Sequence, residues 1–281
     1  MKCVIGACVY NAEKYLKNSF KNLETIITSN LFEEYLLIFS YDNSDDDTLE
    51  MLTDYKQEMK GKYENVKIKI IVNTNGMFNI ITVNIATARN KILDIIFNTD
   101  YKYEYKYDYF IMIDMNYIHE KKLNIEVLTK HLNTDLVSEW DALMFNMNPY
   151  YDIWALSLSP YYISVWHWIN PDLVKTKMIN NLNEKLSKLN DGELLECVSA
   201  FGGFGIYKTE KFVNCKYTGL FELDKIYKFG INVPNNIKAL RGYTRQLPQY
   251  HPPDCEHKYF HMEAIKNNEA RIRISPECLF N

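Results

Sequence analysis

The sequence predicts an α/β fold: a Rossmann-like, mainly parallel central sheet flanked by helices, with an elaborated second half. Three observations predict it. Strand-like and helix-like patterns alternate through the first 120 residues, as a parallel sheet covered by crossover helices requires. An apolar share of 47% against 24% charged residues is enough to bury a sizeable core in a chain of 281 residues. Neither an internal repeat nor a polar, Pro-rich linker divides the chain, so residues 1–281 read as a single domain with halves 1–120 and 121–281.

Taken in order, CVIGACVYN is a first strand, buried on both faces. From Glu13 to Ser29, residues Tyr15, Leu16, Phe20, Leu23, Ile26 and Ile27 fall on one helical stripe, with Asn11 as the expected cap. EYLLIFSYD is a second strand, Asp46 to Met59 a second helix opened by acids, and VKIKIIVN a third strand. A Gly-containing loop from Asn73 to Thr82 leads into the helix IATARNKILDIIF, and DYFIMID is a fourth strand ending in a carboxylate. The second half is less regular. WDALMFNMNPYYDIWAL suggests two short strands around Pro149, and Pro171 to Leu189 a helix entered through Pro171 and Asp172. SAFGGFGIYKT reads as a Gly-broken strand followed by a short helix, and Cys255 to Phe280 as a helix of about three turns and a final strand.

A net charge of −4, with Lys and Arg scattered among acids, offers no basic stripe and argues against nucleic acid as a partner. The chain opens directly on a strand pattern, without a leader-like segment, and no window reaches the roughly 18 apolar residues of a membrane span. The expectation is a cytoplasmic protein. Cys3, Cys8, Cys197, Cys215, Cys255 and Cys278 lie far apart, which points to free thiols rather than a redox pair or zinc knuckle. The nearly low-complexity run at residues 101–109 reads as a solvated lead-in to the fourth strand.

Ligands of such sheets collect beyond the carboxyl ends of the strands. Four places there carry candidate chemistry: Val9 to Asn11, Tyr41 to Asp47, Asp114 to Asn116, and the glycines at 202, 203 and 205. In FIMIDMN, strand alternation turns Asp114 and Asn116 to one side and Met115 to the other.

The order VYNAEKYL, FSYDNSDDDTLEML, ARNKILD, FIMIDMN, SAFGGFGIYKTEKF, CEHKYFH resembles the GT-A glycosyltransferases, especially family-2-like enzymes, over nearly the whole chain. The YDIWAL and CEHKYFH segments are more similar to a viral and fungal subgroup that includes capsule-type mannosyltransferases.

This resemblance implies transfer of a hexose-type sugar from a UDP- or GDP-sugar donor to a hydroxyl of a glycan, glycoprotein or other acceptor. Residues 1–120 would bind the nucleotide and residues 121–281 the acceptor, in a cytoplasmic setting that becomes the host cytoplasm or the virion if the chain is viral. Asp42 matches an acid that accepts from the nucleotide base, although it and its neighbours also suit a turn and helix cap. Arg89 matches an arginine near the diphosphate, and Val9, Tyr10, Asn11, Gly202 and Gly203 fall in donor-binding segments. Asp114 and Asn116 occupy the Asp-x-Asp position, which implies Mn²⁺ or Mg²⁺ held against the diphosphate. The neutral amide of Asn116 departs from the family pattern and weakens that expectation. Glu256 and His257, with Asp254 beside them, stand where the family has its acidic pair. General base and metal ligand are both open roles there, and His261 shares a helical face with His257. Trp154 and Trp168 are expected on the acceptor side, where flat rings stack on sugars. The alternative reading is a catalytically weak nucleotide- or sugar-binding protein on the same fold.

Overall fold

The structure, a computed structural model, describes residues 1–73, 79–97, 107–238 and 251–281. Residues 74–78 of the loop expected before the third helix and the tyrosine-rich run at 101–106 lie outside the described residues. The chain begins β1 (Lys2–Val9), α1 (Glu13–Thr28), β2 (Glu34–Asp42), α2 (Thr48–Lys62), β3 (Val66–Asn73), α3 (Ile81–Phe97) and β4 (Tyr109–Asp114). It continues α4 (Ile125–Asn133), β5 (Ala142–Asn146), α5 (Pro171–Leu186), β6 (Leu195–Glu196), β7 (Phe204–Lys208), α6 (Leu223–Lys228), α7 (Glu256–Asn268) and β8 (Ile272–Cys278).

Eight strands form one mixed sheet in the order β3-β2-β1-β4-β7-β5-β8-β6, flanked by helices. The first four strands are mutually parallel, as the βα alternation predicts. Beyond them β7 runs antiparallel to both β4 and β5, β5 is parallel to β8, and β6 is antiparallel to β8. Side-chain alternation splits the core between the two faces. Val4, Phe110, Met112 and Met144 pack with α3, α5 and α7, while Cys3, Ile5, Ile111, Ile113 and Leu143 pack with α1, α2 and α4. Every described strand that supplies the site is therefore clamped from both sides. Among the described residues no helix is long and apolar enough to cross a membrane.

Several local expectations change. Asn11 does not cap α1. Ala12 occupies that position, and Asn11, with φ of 43°, accepts the Asp45 N–H on its Oδ1 at 2.9 Å. Helix α2 starts at Thr48, because Asp46 spends its carboxylate on the Glu13 and Thr48 N–H groups. Only one strand, β5, forms in the segment around Pro149. Past it, Asp152 accepts the Ala155 N–H at 3.0 Å and closes a turn where a second strand was expected.

Candidate active site

A cavity of about 740 Å³ opens beyond the carboxyl ends of β1, β2 and β4. Val9 and Tyr10 line it from β1, Asp42 from β2, and Asp114 and Asn116 from β4. Arg89 of α3 and Glu256 of α7 complete the floor, and Tyr151, Asp152 and Trp154 form a wall from the irregular segment after β5.

Arg89 is the centre of this arrangement. It is buried, donates from Nη2 to Asp114 Oδ1 at 2.9 Å and from Nε to Glu256 Oε1 at 3.0 Å, and lies over the Phe201 ring. Its Nη1 is buried with no hydrogen-bond partner. Burial opposes the guanidinium charge, but Glu256 and Asp114 outweigh that and raise its pKa well above the usual value. Burial likewise pushes the carboxyls of Asp114 and Glu256 above the ordinary range, against the pull of Arg89. Asp114 is held further by the Tyr151 hydroxyl, which donates to its Oδ2 at 3.2 Å while accepting from Asn116 Nδ2 at 2.6 Å. Its backbone N–H donates to the carbonyl of Gly203 at 2.9 Å.

At the far end of the cavity Asp42 accepts from Asn73 Nδ2 at 2.6 Å, and Lys91 in turn donates to Asn73 Oδ1. The carboxylate is thus aimed but keeps acceptor capacity.

Other predicted site residues lie elsewhere. Asn11 faces the β2–α2 loop rather than the cavity: its N–H donates to Ser44 Oγ and its Oδ1 accepts from Asp45. Gly202 and Gly203 do not line the cavity. Both have positive φ, and a Cβ on Gly203 would sit 1.9 Å from Ile118 Cδ1, so its smallness serves the turn that delivers β7 beside β4. Asp254 has no exposed surface; Tyr259 donates to its Oδ2 at 2.9 Å and Lys258 Nζ lies 3.7 Å from Oδ1. Burial would raise its pKa, but Lys258 and His167 overcome that and hold it at about 2. It sits in a core ion pair and does not line the cavity. Trp168 is also core: it is buried and its Nε1 donates to the Ile163 carbonyl at 3.2 Å. Trp154, by contrast, lines the cavity with its ring edge-on to Trp166, which is exposed.

The helix-face reasoning for His257 and His261 holds, since their rings are 5.7 Å apart, but that face points into the core. His257 stacks on Phe201 at 3.8 Å, and burial with Arg89 nearby drives its pKa well below the usual value. His261 hydrogen-bonds Ser199 and Tyr207 and is pushed down to about 3 by burial. Neither lines the cavity. The expected ligand set for Mn²⁺ or Mg²⁺ is therefore not assembled. Asp114 spends one oxygen on Arg89 and the other on Tyr151, Asn116 Oδ1 accepts the Ile118 N–H, and the two histidines are turned away. Among the described residues no group of three or more His, Cys, Asp or Glu side chains could hold a metal ion. Among the described residues these side chains do not by themselves make up a resident divalent-cation site.

Sequence reasoning missed Tyr151, Phe201 and above all Asp152, whose carboxyl is raised to about 7 by burial and by the charges of Glu256 and Asp114, against the Ala155 N–H. Its one sequence signal was its place two residues before Trp154 in a segment already singled out.

No protein-family model matches the chain. No curated protein matches it either. Among solved structures it is similar to Staphylococcus aureus TarS residues 1–349, at 14% identity and a TM-score of 0.46, covering 100% of this chain and 59% of that one. The chain thus spans about three-fifths of that structure's length. It is also similar to the galactosyltransferase LgtC in complex with donor and acceptor sugar analogues, at 10% identity and a TM-score of 0.37, covering 98% of this chain and 73% of that one. A third is glucosyl-3-phosphoglycerate synthase from Mycobacterium tuberculosis with Mn²⁺, UDP and phosphoglyceric acid, at 10% identity and a TM-score of 0.40, covering 82% of this chain and 66% of that one.

Proposed function

We propose that this chain is a glycosyltransferase that moves a hexose-type sugar from a UDP- or GDP-sugar to a hydroxyl of a glycan or glycoprotein. One observation carries the reading: Asp42 and Asp114, ending two parallel strands, face one open cavity together with Glu256. That is where an α/β sheet of this kind collects nucleotides. The motif order described above supports the GT-A assignment, and the YDIWAL and CEHKYFH segments support a viral or fungal subgroup.

In this reading Asp42, steadied by Asn73, accepts a ring N–H of the base. Arg89 acts as a positioning residue that fixes Asp114 and Glu256 beside the donor. Trp154 offers a flat apolar surface to a sugar ring. The partnered state of Asp114 and Glu256 favours the alternative, a catalytically weak nucleotide- or sugar-binding protein, as do Asn116 and His257 at the altered motif positions.

Thermal shift and donor hydrolysis with a panel of UDP- and GDP-sugars, each with and without Mn²⁺, separate the two, because a ligand of the native state raises its stability. A transferase stabilised by one donor also releases its nucleotide slowly; a binding protein is stabilised without release. Mn²⁺ alone is expected to give no shift. Asp42→Ala should weaken UDP or GDP binding by about 1.5–3 kcal/mol, the worth of a hydrogen bond to a charged group. Unchanged nucleotide affinity in that variant would remove the base-recognition role.

A further inference from the structure

Four carboxylates line the cavity, and three of them are engaged with donors or cations. Asp42 takes Asn73, Asp114 takes Arg89 and Tyr151, and Glu256 takes Arg89. Asp152 is different. Its Oδ1 accepts the Ala155 N–H, and among the described residues no side chain donates to its carboxylate and no cation pairs with it.

A general base must begin as an anion and end as a neutral acid. Protonating Glu256 or Asp114 would give up the charge that each sets against the buried Arg89 guanidinium. Protonating Asp152 breaks no such pair. It also removes one negative charge from a cavity that Glu256 on α7 and Asp114 on β4 already make acidic, with Arg89 on α3 the one cation among the described lining residues. Cys255, Tyr117, Tyr150 and Tyr151 are the other titratable groups that sense it, and the pKa of each is raised, so none of them carries charge at neutral pH. Trp154, two residues away, lines the same wall, so Asp152 stands beside a surface suited to a sugar.

We propose that Asp152 is the catalytic base of the transfer, taking the proton of the attacking hydroxyl on Oδ2 while Glu256 and Asp114 hold Arg89. The proposal rests on the reading of the cavity as a sugar-nucleotide site. The acceptor O–H bond breaks with its proton passing to Asp152, and the oxygen's electron pair forms the new bond to the anomeric carbon. The bond from that carbon to the diphosphate oxygen breaks, with its electron pair leaving on the diphosphate. A single displacement of this kind inverts the configuration. The carboxyl's position near pH 7 suits a base working at neutral pH.

The test uses the full chain with UDP-glucose, UDP-galactose, UDP-GlcNAc and GDP-mannose, water serving as acceptor, and the variants Asp152→Asn, Asp152→Ala and Glu256→Gln. Asp152→Asn keeps an acceptor for Ala155 and controls for folding through its unfolding midpoint. Loss of the base should lower nucleotide release by about 10²–10⁴-fold. Nucleotide Kd by calorimetry should stay unchanged, and the acid limb of the wild-type rate near pH 7 should disappear. Azide, a nucleophile with no proton to lose, should restore release in Asp152→Ala as glycosyl azide and should not rescue Glu256→Gln. Retention of the wild-type rate and pH limb in both Asp152 variants, or azide rescue of Glu256→Gln instead, would overturn the assignment. A wild-type chain that binds no nucleotide overturns the sugar-nucleotide reading itself, and the role of Asp152 falls with it.

Discussion

Lys258 and Asp254 have no exposed surface, and their charged atoms lie 3.7 Å apart beside His167 and Tyr259. Such a pair is costly to assemble but costlier to break, because removing one partner strands the other in a low-dielectric interior. Asp254→Asn is therefore expected to lower stability by about 3–5 kcal/mol at neutral pH, the usual cost of orphaning a buried charge. The carboxyl's folded pKa, about 2, is below its unfolded value near 3.8. Its stabilisation is thus fully present above the unfolded pKa and lost as pH falls through the folded one. Denaturant titrations should show the gap between wild type and variant narrowing between roughly pH 4 and pH 2. A gap equally wide at both ends would mean that the lost stability does not come from this charge. Nucleotide affinity should not change, since Asp254 is outside the cavity.

Helix α3 brings Arg89 to the acids, and its first turn is anchored by a close approach of backbones. Thr82 Oγ1 donates to the Gly219 carbonyl at 2.6 Å, and a Cβ on Gly219 would lie 2.2 Å from the Thr82 carbonyl carbon and oxygen. A methyl there meets backbone and not a flexible side-chain end, so one of the two segments must move. Gly219→Ala should cost about 1–3 kcal/mol, as overpacking commonly does. It should also weaken nucleotide binding, because Thr82 and Arg89 both line the cavity. Gly61, in the last turn of α2, has nothing within 4 Å of its notional Cβ. Gly61→Ala should add up to about 0.5–1 kcal/mol through helix propensity alone. Urea unfolding of the two variants checks both signs, and a stabilised Gly219→Ala would show that the contact is not tight.

At the scale of the molecule, the two halves of the chain share one sheet and both apolar faces. One face runs from Val4 to Ile274, the other from Cys3 to Phe280. The seam is the antiparallel pairing of β4 with β7, Tyr109 against Lys208 through Ile113 against Phe204. We expect residues 1–281 to unfold as one domain, with the circular dichroism and tryptophan fluorescence transitions coincident in denaturant. All four tryptophans lie in the second half, so an independent first half would separate the two probes. The same seam sets Asp114, because its N–H is bound by Gly203 at the entry to β7.

The alternation of β-prone runs with helical stripes, and acids closing the runs at Asp42 and Asp114, determined the parallel half of the sheet and two of the cavity's carboxylates. Those signals are local: strand alternation and the end of an apolar run are written in a few consecutive residues. Helix α7 was legible as a helix but not by its inward face. It is buried at every residue from Glu256 through Met262, so no polar stripe marks the side on which Glu256 looks into the cavity and His257 and His261 do not. Only the tertiary structure decided which carboxylate receives a cation. Arg89 and Glu256 are 167 residues apart in sequence and meet because α3 and α7 pack on one face of the sheet. Asp152, with no such partner, looks in sequence like any acid in a turn, and its distinction comes from burial and from the charges the fold sets around it.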